Sequence, residues 1–148
     1  MRIAIDTNVL AYAEGVNGPA KKKAALDIIE HLPADSTFVP VQVLGELFHV
    51  LVRKGERSPK RALAAILSWQ DVFPTVETSS AILISAAELA ARHNLSIWDA
   101  IVFSGAAATG CRLLLSEDLQ AGFTWTGVTV VNPFQEPRHE LLAGIIAR

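Results

Sequence analysis

The sequence predicts an α/β domain in which a parallel β-sheet is covered by helices on both faces. Short apolar runs rich in Ile, Val and Leu alternate along the chain with longer segments whose apolar residues recur at helical spacing. Strands that alternate with helices of roughly ten or more residues indicate a parallel sheet. The composition agrees with a packed globular domain, since 51% of the 148 residues are apolar and 19% are charged.

Hydrophobic period and turn residues place the elements in order. Each strand is a short, mostly apolar run, and the predicted strands are Arg2–Ile5, Thr37–Val39, Thr75–Glu77, Arg112–Leu115 and Val128–Val131. Each helix repeats apolar residues three or four apart, and the predicted helices are Thr7–Glu14, Pro19–His31, Val41–Lys54, Pro59–Phe73, Ser80–His93, Ile97–Thr109 and Pro137–Arg148. No repeat or long linker divides the chain, so residues 1–148 are expected to form one domain.

Charge and cysteine content exclude several classes of protein. A net charge of −2 argues against nucleic-acid binding over the whole surface, so any basic footprint must be local. The single Cys111 cannot form an internal disulfide or a multi-cysteine metal site, and a reducing cytoplasm is expected. The longest uncharged stretch, residues 119–135, contains polar residues and a proline, so neither a membrane span nor a membrane partner is expected.

Acidic residues follow two of the predicted strands. Ligands of an open parallel sheet bind beyond the carboxyl ends of its strands. Asp6-Thr7-Asn8 follows the first strand and Ser116-Glu117-Asp118 follows the fourth. Helix capping or turn formation also explains each motif by itself.

Two further acids lie on predicted helices. Glu46 belongs to a polar stripe along the third helix, which faces either solvent or a polar cleft; its members are Gln42, Glu46, His49 and Arg53. Asp99 stands three residues after Ser96, where a capping box explains it equally well.

Asp6, Glu46, Asp99 and Asp118 are more informative as a group than one by one. Two like charges about 4 Å apart repel by roughly 4 kcal/mol at an effective dielectric constant near 20, so a carboxylate cluster needs a cation or raised pKa values. Oxygen ligands alone favour Mg²⁺ or Mn²⁺ over zinc or copper. Such an ion polarises a phosphoryl oxygen and lowers the pKa of a bound water.

Four short motifs carry a resemblance to a known family. They are Ile3–Leu10, Gln42–Leu47, Ile97–Ala100 and Leu114–Leu119, and together they span most of the chain. In this order and spacing the chain resembles PIN domains, and among them the VapC-type ribonuclease toxins.

The resemblance implies a three-layer α/β/α fold with a parallel five-stranded sheet in the order 3-2-1-4-5. It also implies a metal-dependent endoribonuclease, a hydrolase in which metal-activated water attacks an RNA phosphodiester. The implied ligands of one or two Mg²⁺ or Mn²⁺ ions are Asp6, Glu46, Asp99 and Asp118. Hydrogen bonds from Thr7, Asn8 and Ser116 would steady these acids, and Glu117 could share the work of Asp118.

Partners follow from the same resemblance: a homodimer, and a small antitoxin whose segment blocks the acidic cleft. Candidate RNA contacts lie in a local cluster of charge +4, formed with Glu56 by Arg53, Lys54, Arg57, Lys60 and Arg61. A solvated corner between two helices explains this cluster equally well. The run Lys21-Lys22-Lys23 is interpreted as the solvated face of a surface helix.

Alternative functions remain open at this point. The chain could be a catalytically silent PIN-like module that binds RNA or a protein partner, or an RNA-processing nuclease that is not a toxin. Phosphatases with two aspartate nucleophiles are disfavoured because Asn8 replaces their second Asp. Receiver modules are disfavoured because the last strand ends in Val131-Asn132-Pro133 without the lysine they need.

Overall fold

The computed structural model describes residues 1–147. The strands are β1 (Ile3–Ile5), β2 (Thr37–Pro40), β3 (Thr75–Val76), β4 (Leu113–Leu115), β5 (Thr124–Trp125) and β6 (Val128–Val131). The helices are α1 (Thr7–Ala13), α2 (Pro19–Ile29), α3 (Val41–Arg53), α4 (Pro59–Val72), α5 (Ser80–His93), α6 (Ile97–Ala108) and α7 (Glu140–Ile146). The predicted α/β class and the helices around the sheet are confirmed.

The sheet has the order β3-β2-β1-β4-β6-β5, so the predicted neighbours are confirmed but the predicted strand count is wrong. The first five strands of this order are parallel. The sixth, β5, pairs antiparallel with β6 through the turn Thr126-Gly127. Both turn residues have positive φ, 45° and 83°, which is the backbone of a two-residue type I′ hairpin turn. A two-residue strand shows no hydrophobic period, so β5 could not be predicted from the sequence.

The two central strands, β1 and β4, lie in the middle of the hydrophobic core. All residues of β1 and β4 are buried, as expected for parallel strands covered on both faces. Helix α6 is buried from Ala100 to Ala106 without a polar face, apart from Ser104, because it packs between the sheet and other helices. These buried runs fix the direction in which the loops after β1 and β4 leave the sheet.

Helix ends differ from the predicted ends by a few residues. Helix α7 begins at Glu140 rather than Pro137, and the predicted end at Arg148 lies outside the described residues. Ser58, Ser79 and Ser96 each accept a hydrogen bond from the third residue of the following helix. No helix within residues 1–147 combines the length and apolar character that crossing a membrane requires.

Candidate active site

The carboxyl ends of β1 and β4 bring two of the predicted motifs together. These strands pair in parallel, with Ile5 opposite Leu115. The backbone N–H of Asp6 extends the ladder by donating to the carbonyl of Leu115 at 2.9 Å. Asp6 and Ser116 therefore leave neighbouring strands side by side.

Asp6 is buried and uses both carboxylate oxygens. Oδ1 accepts from the backbone N–H of Thr7 at 2.8 Å, and Oδ2 accepts from the hydroxyl of Ser116 at 2.7 Å. Ser116 in turn accepts from the N–H of Leu119 at 3.2 Å. Asp6 thus caps α1, as one interpretation of the sequence required, and is also held by the loop after β4.

Burial raises the pKa of Asp6 from 3.8 to about 6. The hydrogen bonds from Ser116 and Thr7 oppose this rise, whereas the negative charges of Asp99 and Asp118 add to it. Asp6 is therefore within electrostatic range of two of the other predicted acids.

Glu46 lies on α3 and is half-buried. Burial raises its pKa from 4.5 to about 7, and the charges of Asp6 and Asp99 contribute. Its Oε1 atom is buried and accepts no hydrogen bond from residues 1–147. The polar stripe on α3 is thus divided, because Gln42 and Glu46 are partly enclosed while His49 and Arg53 face solvent.

Asp99 and Asp118 complete the set. Ser96 caps α6 by accepting from the backbone N–H of Asp99 at 3.1 Å, which leaves the Asp99 carboxylate available. Asp118 is exposed and, with Glu46, lines a cavity of about 160 Å³. The structure therefore brings all four predicted acids into one electrostatic neighbourhood.

The three predicted supporting residues differ in what they contact. Ser116 reaches an acid directly through its hydroxyl, and Thr7 does so through its backbone. Asn8 instead accepts from the backbone N–H of Glu117 at 3.4 Å. Thr7 Oγ1 and Asn8 Nδ2 are buried beside the cavity, and neither has a hydrogen-bond partner in residues 1–147.

The donor set fits a hard divalent cation. It consists of carboxylates and includes a buried Glu46 oxygen that has no hydrogen-bond partner in residues 1–147, and burial, with a smaller contribution from the neighbouring charges, raises the pKa values of Asp6 and Glu46. As the side chains stand, no three Asp, Glu, His or Cys groups among residues 1–147 converge tightly enough to coordinate one ion.

Comparison with known proteins agrees with this architecture. The family model described as "PIN domain" matches residues 3–122. This chain belongs to the PIN domain family. No curated protein sequence matches it significantly.

Solved structures share the PIN fold at low sequence identity. VapC20 of Mycobacterium tuberculosis, described as a sarcin-ricin loop cleaving toxin, is 21% identical with a TM-score of 0.66, over 78% of this chain and 89% of that chain. A toxin–antitoxin complex from Klebsiella pneumoniae is 19% identical with a TM-score of 0.67, over 90% and 98%. VapBC2 of Rickettsia felis, bound to a promoter DNA fragment, is 12% identical with a TM-score of 0.64, over 88% and 97%.

Two residues beside the acids of this PIN domain, Tyr12 and Lys21, were not predicted as site residues from the sequence. Tyr12 lines the same cavity as Asp118 and Glu46, and its hydroxyl donates to Glu117. The spacing of four residues from Asn8 to Tyr12 is the signal that could have placed Tyr12 on the same face of α1. Lys21, interpreted from the sequence as part of a solvated run, also binds Glu117.

The structure separates the candidate RNA contacts into two groups. Arg57 is engaged within the chain, because its guanidinium donates to Glu14 Oε1 at 2.6 Å and to the Glu14 carbonyl at 2.7 Å. Glu14 also accepts from Trp69 Nε1 at 3.0 Å, so Glu14 joins the end of α1 to α4 and to the loop before it. The exposed members are Arg53, Lys54, Lys60 and Arg61. Of these, Lys54 borders the acid-lined cavity.

Substitutions of Arg57 and Lys54 should therefore change different properties, stability for Arg57 and RNA affinity for Lys54. Arg57→Met should lower the free energy of unfolding by about 2 kcal/mol, because a partly buried charged hydrogen-bond pair is lost, and should leave RNA affinity unchanged. If the basic cluster contacts the RNA that the resemblance implies as substrate, Lys54→Met should weaken that binding and reduce its salt dependence without lowering stability. Urea unfolding and RNA binding at two salt concentrations measure both. Equal effects of the two variants on RNA affinity would contradict this division.

Proposed function

We propose that this PIN domain is a divalent-metal-dependent endoribonuclease and the toxin of a toxin–antitoxin pair. The observation that carries the proposal is the position of Asp6, which is buried beside Ser116 at the carboxyl edge of the sheet and lies within electrostatic range of Glu46, Asp99 and Asp118. One Glu46 oxygen is also buried without a hydrogen-bond partner in residues 1–147. A folded protein without a ligand for this cluster would keep its desolvation and repulsion uncompensated.

Each side chain has a role in this proposal. Asp6, Glu46 and Asp99 would hold the main Mg²⁺ or Mn²⁺ ion, and Asp118 would hold a second ion or position the attacking water. A bound ion supplies Lewis acidity toward a phosphoryl oxygen and lowers the pKa of water. Ser116 fixes the orientation of Asp6 through its 2.7 Å hydrogen bond. Lys54 at the rim of the cavity would contact the RNA backbone.

The proposed partners are an antitoxin and a second copy of the chain. Structures with the same fold are described as toxin–antitoxin complexes, and two of them hold DNA. Leu63 and Leu67 on α4 remain 48% and 49% exposed in the single chain, which favours a contact that covers them. Light scattering of the purified chain tests the dimer. A cytoplasmic location belongs to the same proposal and agrees with the free, buried Cys111.

Cleavage of RNA by wild-type protein and by Asp99→Asn tests the activity. We expect wild-type protein to produce new RNA ends with Mn²⁺ and none with EDTA, and Asp99→Asn to be inactive with either. Expression of the same pair in cells tests the toxin assignment, because only wild-type protein should arrest growth.

Asp71→Asn is the matched control, since it makes the same chemical change at an exposed position on α4. It should cleave RNA like wild type. Mn²⁺-dependent cleavage by Asp99→Asn at the wild-type rate would contradict the proposal, as would a wild-type protein that binds RNA without cutting it. Cleavage without growth arrest would instead support an RNA-processing nuclease.

A further inference from the structure

Glu117 stands between two residues of the proposed active site, Ser116 and Asp118, but its own carboxylate is fully engaged elsewhere. Oε1 accepts from the hydroxyl of Tyr12 at 2.7 Å, and Oε2 accepts from Lys21 Nζ at 2.6 Å. We refer to Tyr12, Lys21 and Glu117 as the Glu117 cluster. These contacts join α1 and α2 to the loop that follows β4.

Lys21 is held more firmly than an ordinary surface lysine. Its ammonium group lies 5.1 Å from the centre of the Tyr12 ring and 4.7 Å from that of the Phe134 ring. The two rings also contact each other, with centroids 5.4 Å apart. A cation placed over aromatic rings and paired with a partly buried carboxylate resists exchange into water. Lys22 and Lys23 of the same run are exposed.

The charge state of Glu117 agrees with this geometry. Burial acts to raise its pKa, but the hydrogen bonds from Lys21 and Tyr12 and the charge of Lys21 outweigh burial and lower it. Burial, together with the Glu117 contact, raises the pKa of Tyr12 to about 12. The Glu117 carboxylate is therefore paired with Lys21, in agreement with the distances above.

The loop itself is held at two points. Ser116 is tied to Asp6 and Leu119, and Glu117 is tied to the cluster, whereas the next residue, Asp118, is exposed. Besides the cluster, Glu117 has only a long 3.4 Å backbone hydrogen bond to Asn8 within the described chain. The Glu117 side chain therefore limits where the Asp118 backbone can lie.

We infer that the Glu117 cluster positions Asp118 for cation binding, with Glu117 serving as a positioning residue and not as a ligand. This inference rests on the proposed function, in which Asp118 takes part in the metal site. It replaces the sequence-based expectation that Glu117 shares the work of Asp118. Lys21 has two effects here, because it holds the loop and also prevents Glu117 from turning toward the cation.

Lys21→Met distinguishes a positioning role from a purely electrostatic one, because the two predict changes in Mn²⁺ affinity of opposite sign. Removing a positive charge near an acidic site should tighten Mn²⁺ binding if charge alone matters. Loss of positioning should weaken Mn²⁺ binding, on the order of tenfold, as for other residues that orient metal ligands. Isothermal titration calorimetry measures the dissociation constant, with Lys22→Met as the matched control and Lys21→Arg as the conservative variant. We expect Lys22→Met to bind Mn²⁺ at least as tightly as wild type and Lys21→Arg to recover most of the affinity.

The same substitution in an Asp118→Asn variant tests whether the effect of Lys21 on Mn²⁺ affinity depends on Asp118. In Asp118→Asn protein, the addition of Lys21→Met should change Mn²⁺ affinity less than twofold. Amide hydrogen exchange provides a readout without metal: residues 117–119 should exchange several-fold faster in Lys21→Met than in wild type or Lys22→Met. Circular dichroism confirms that each variant is folded.

Three outcomes would overturn the inference: unchanged or tighter Mn²⁺ binding by Lys21→Met, a full Lys21→Met effect in the Asp118→Asn background, or unchanged exchange at 117–119. A different result would refute the proposed function without refuting this inference. A wild-type protein that binds Mn²⁺ but never cleaves RNA would refute the nuclease while leaving these comparisons intact. If no Mn²⁺ binds, the exchange measurement still decides whether the cluster holds the loop.

Discussion

Asp6→Asn is expected to abolish RNA cleavage while making the metal-free protein more stable. The lost activity should exceed a hundredfold, more than the roughly 10–100-fold typical for residues that merely orient a ligand, because a proposed ligand itself loses its charge. Asn has one carbonyl oxygen for the two hydrogen bonds that Asp6 accepts, so it can keep the contact with the Ser116 hydroxyl but loses the one from the Thr7 backbone N–H, which reduces the gain in stability. Initial rates of RNA cleavage with Mn²⁺ measure the loss.

The gain in stability has a definite sign and pH range. Asp6 has a pKa of about 6 in the folded protein and 3.8 ordinarily, so its contribution to stability is fully present below pH 3.8 and is lost as pH rises through 6. At pH 8 the buried charge costs about 3 kcal/mol, which Asn removes in part. Urea unfolding with EDTA at pH 8 checks this gain, with Asp71→Asn as control. Activity retained by Asp6→Asn, or stability lost at pH 8, would contradict the prediction.

The metal-free wild-type protein should lose stability between pH 5 and pH 8, and Mn²⁺ should reverse the loss. Glu46 adds to the effect of Asp6 on stability, because its pKa rises from 4.5 to about 7 in the folded protein. Its contribution to the free energy of unfolding is therefore fully present below pH 4.5 and is lost as pH rises through 7. Because Glu46 is only half-buried and repels Asp6, we expect a combined loss of about 3 kcal/mol and a fall in Tm of roughly 10 °C. Thermal unfolding in EDTA at each pH measures it.

In the proposed site Mn²⁺ would bind the ionised carboxylates, so it should raise Tm more at pH 8 than at pH 5. Glu46→Gln should flatten the pH dependence, whereas Glu88→Gln, the same change at an exposed position of α5, should leave it unchanged. A wild-type Tm that is constant from pH 5 to pH 8 in EDTA would show that the acids are not electrostatically coupled as described.

The sequence was informative where function depends on the ends of strands. Asp6 and Ser116 both follow apolar strands, and the rule that parallel strands present one carboxyl edge was sufficient to expect them near each other. Glu46 and Asp99 could not be placed in the same way, because helix periodicity says which face a residue occupies but not what covers that face. The packing of α3 against α1 and α6 decides this, and such contacts leave no local pattern.

Long-range ion pairs could not be predicted from the sequence. Arg57 resembled a candidate RNA contact because its neighbours are basic, yet its partner Glu14 lies 43 residues earlier. Lys21 resembled a surface residue because it belongs to a lysine run, yet its partner Glu117 lies 96 residues later. In each case the sequence shows the run of basic residues, but the member that forms an ion pair is determined by an acidic residue far away in the sequence.

Anomalous diffraction from crystals soaked with Mn²⁺ tests the central claim most directly. We predict an anomalous peak bordered by carboxylate oxygens of Asp6, Glu46, Asp99 and Asp118, with Glu117 still bound to Lys21 and Tyr12. A peak at a different location, or these four carboxylates pointing to separate parts of the surface around an empty site, would contradict it.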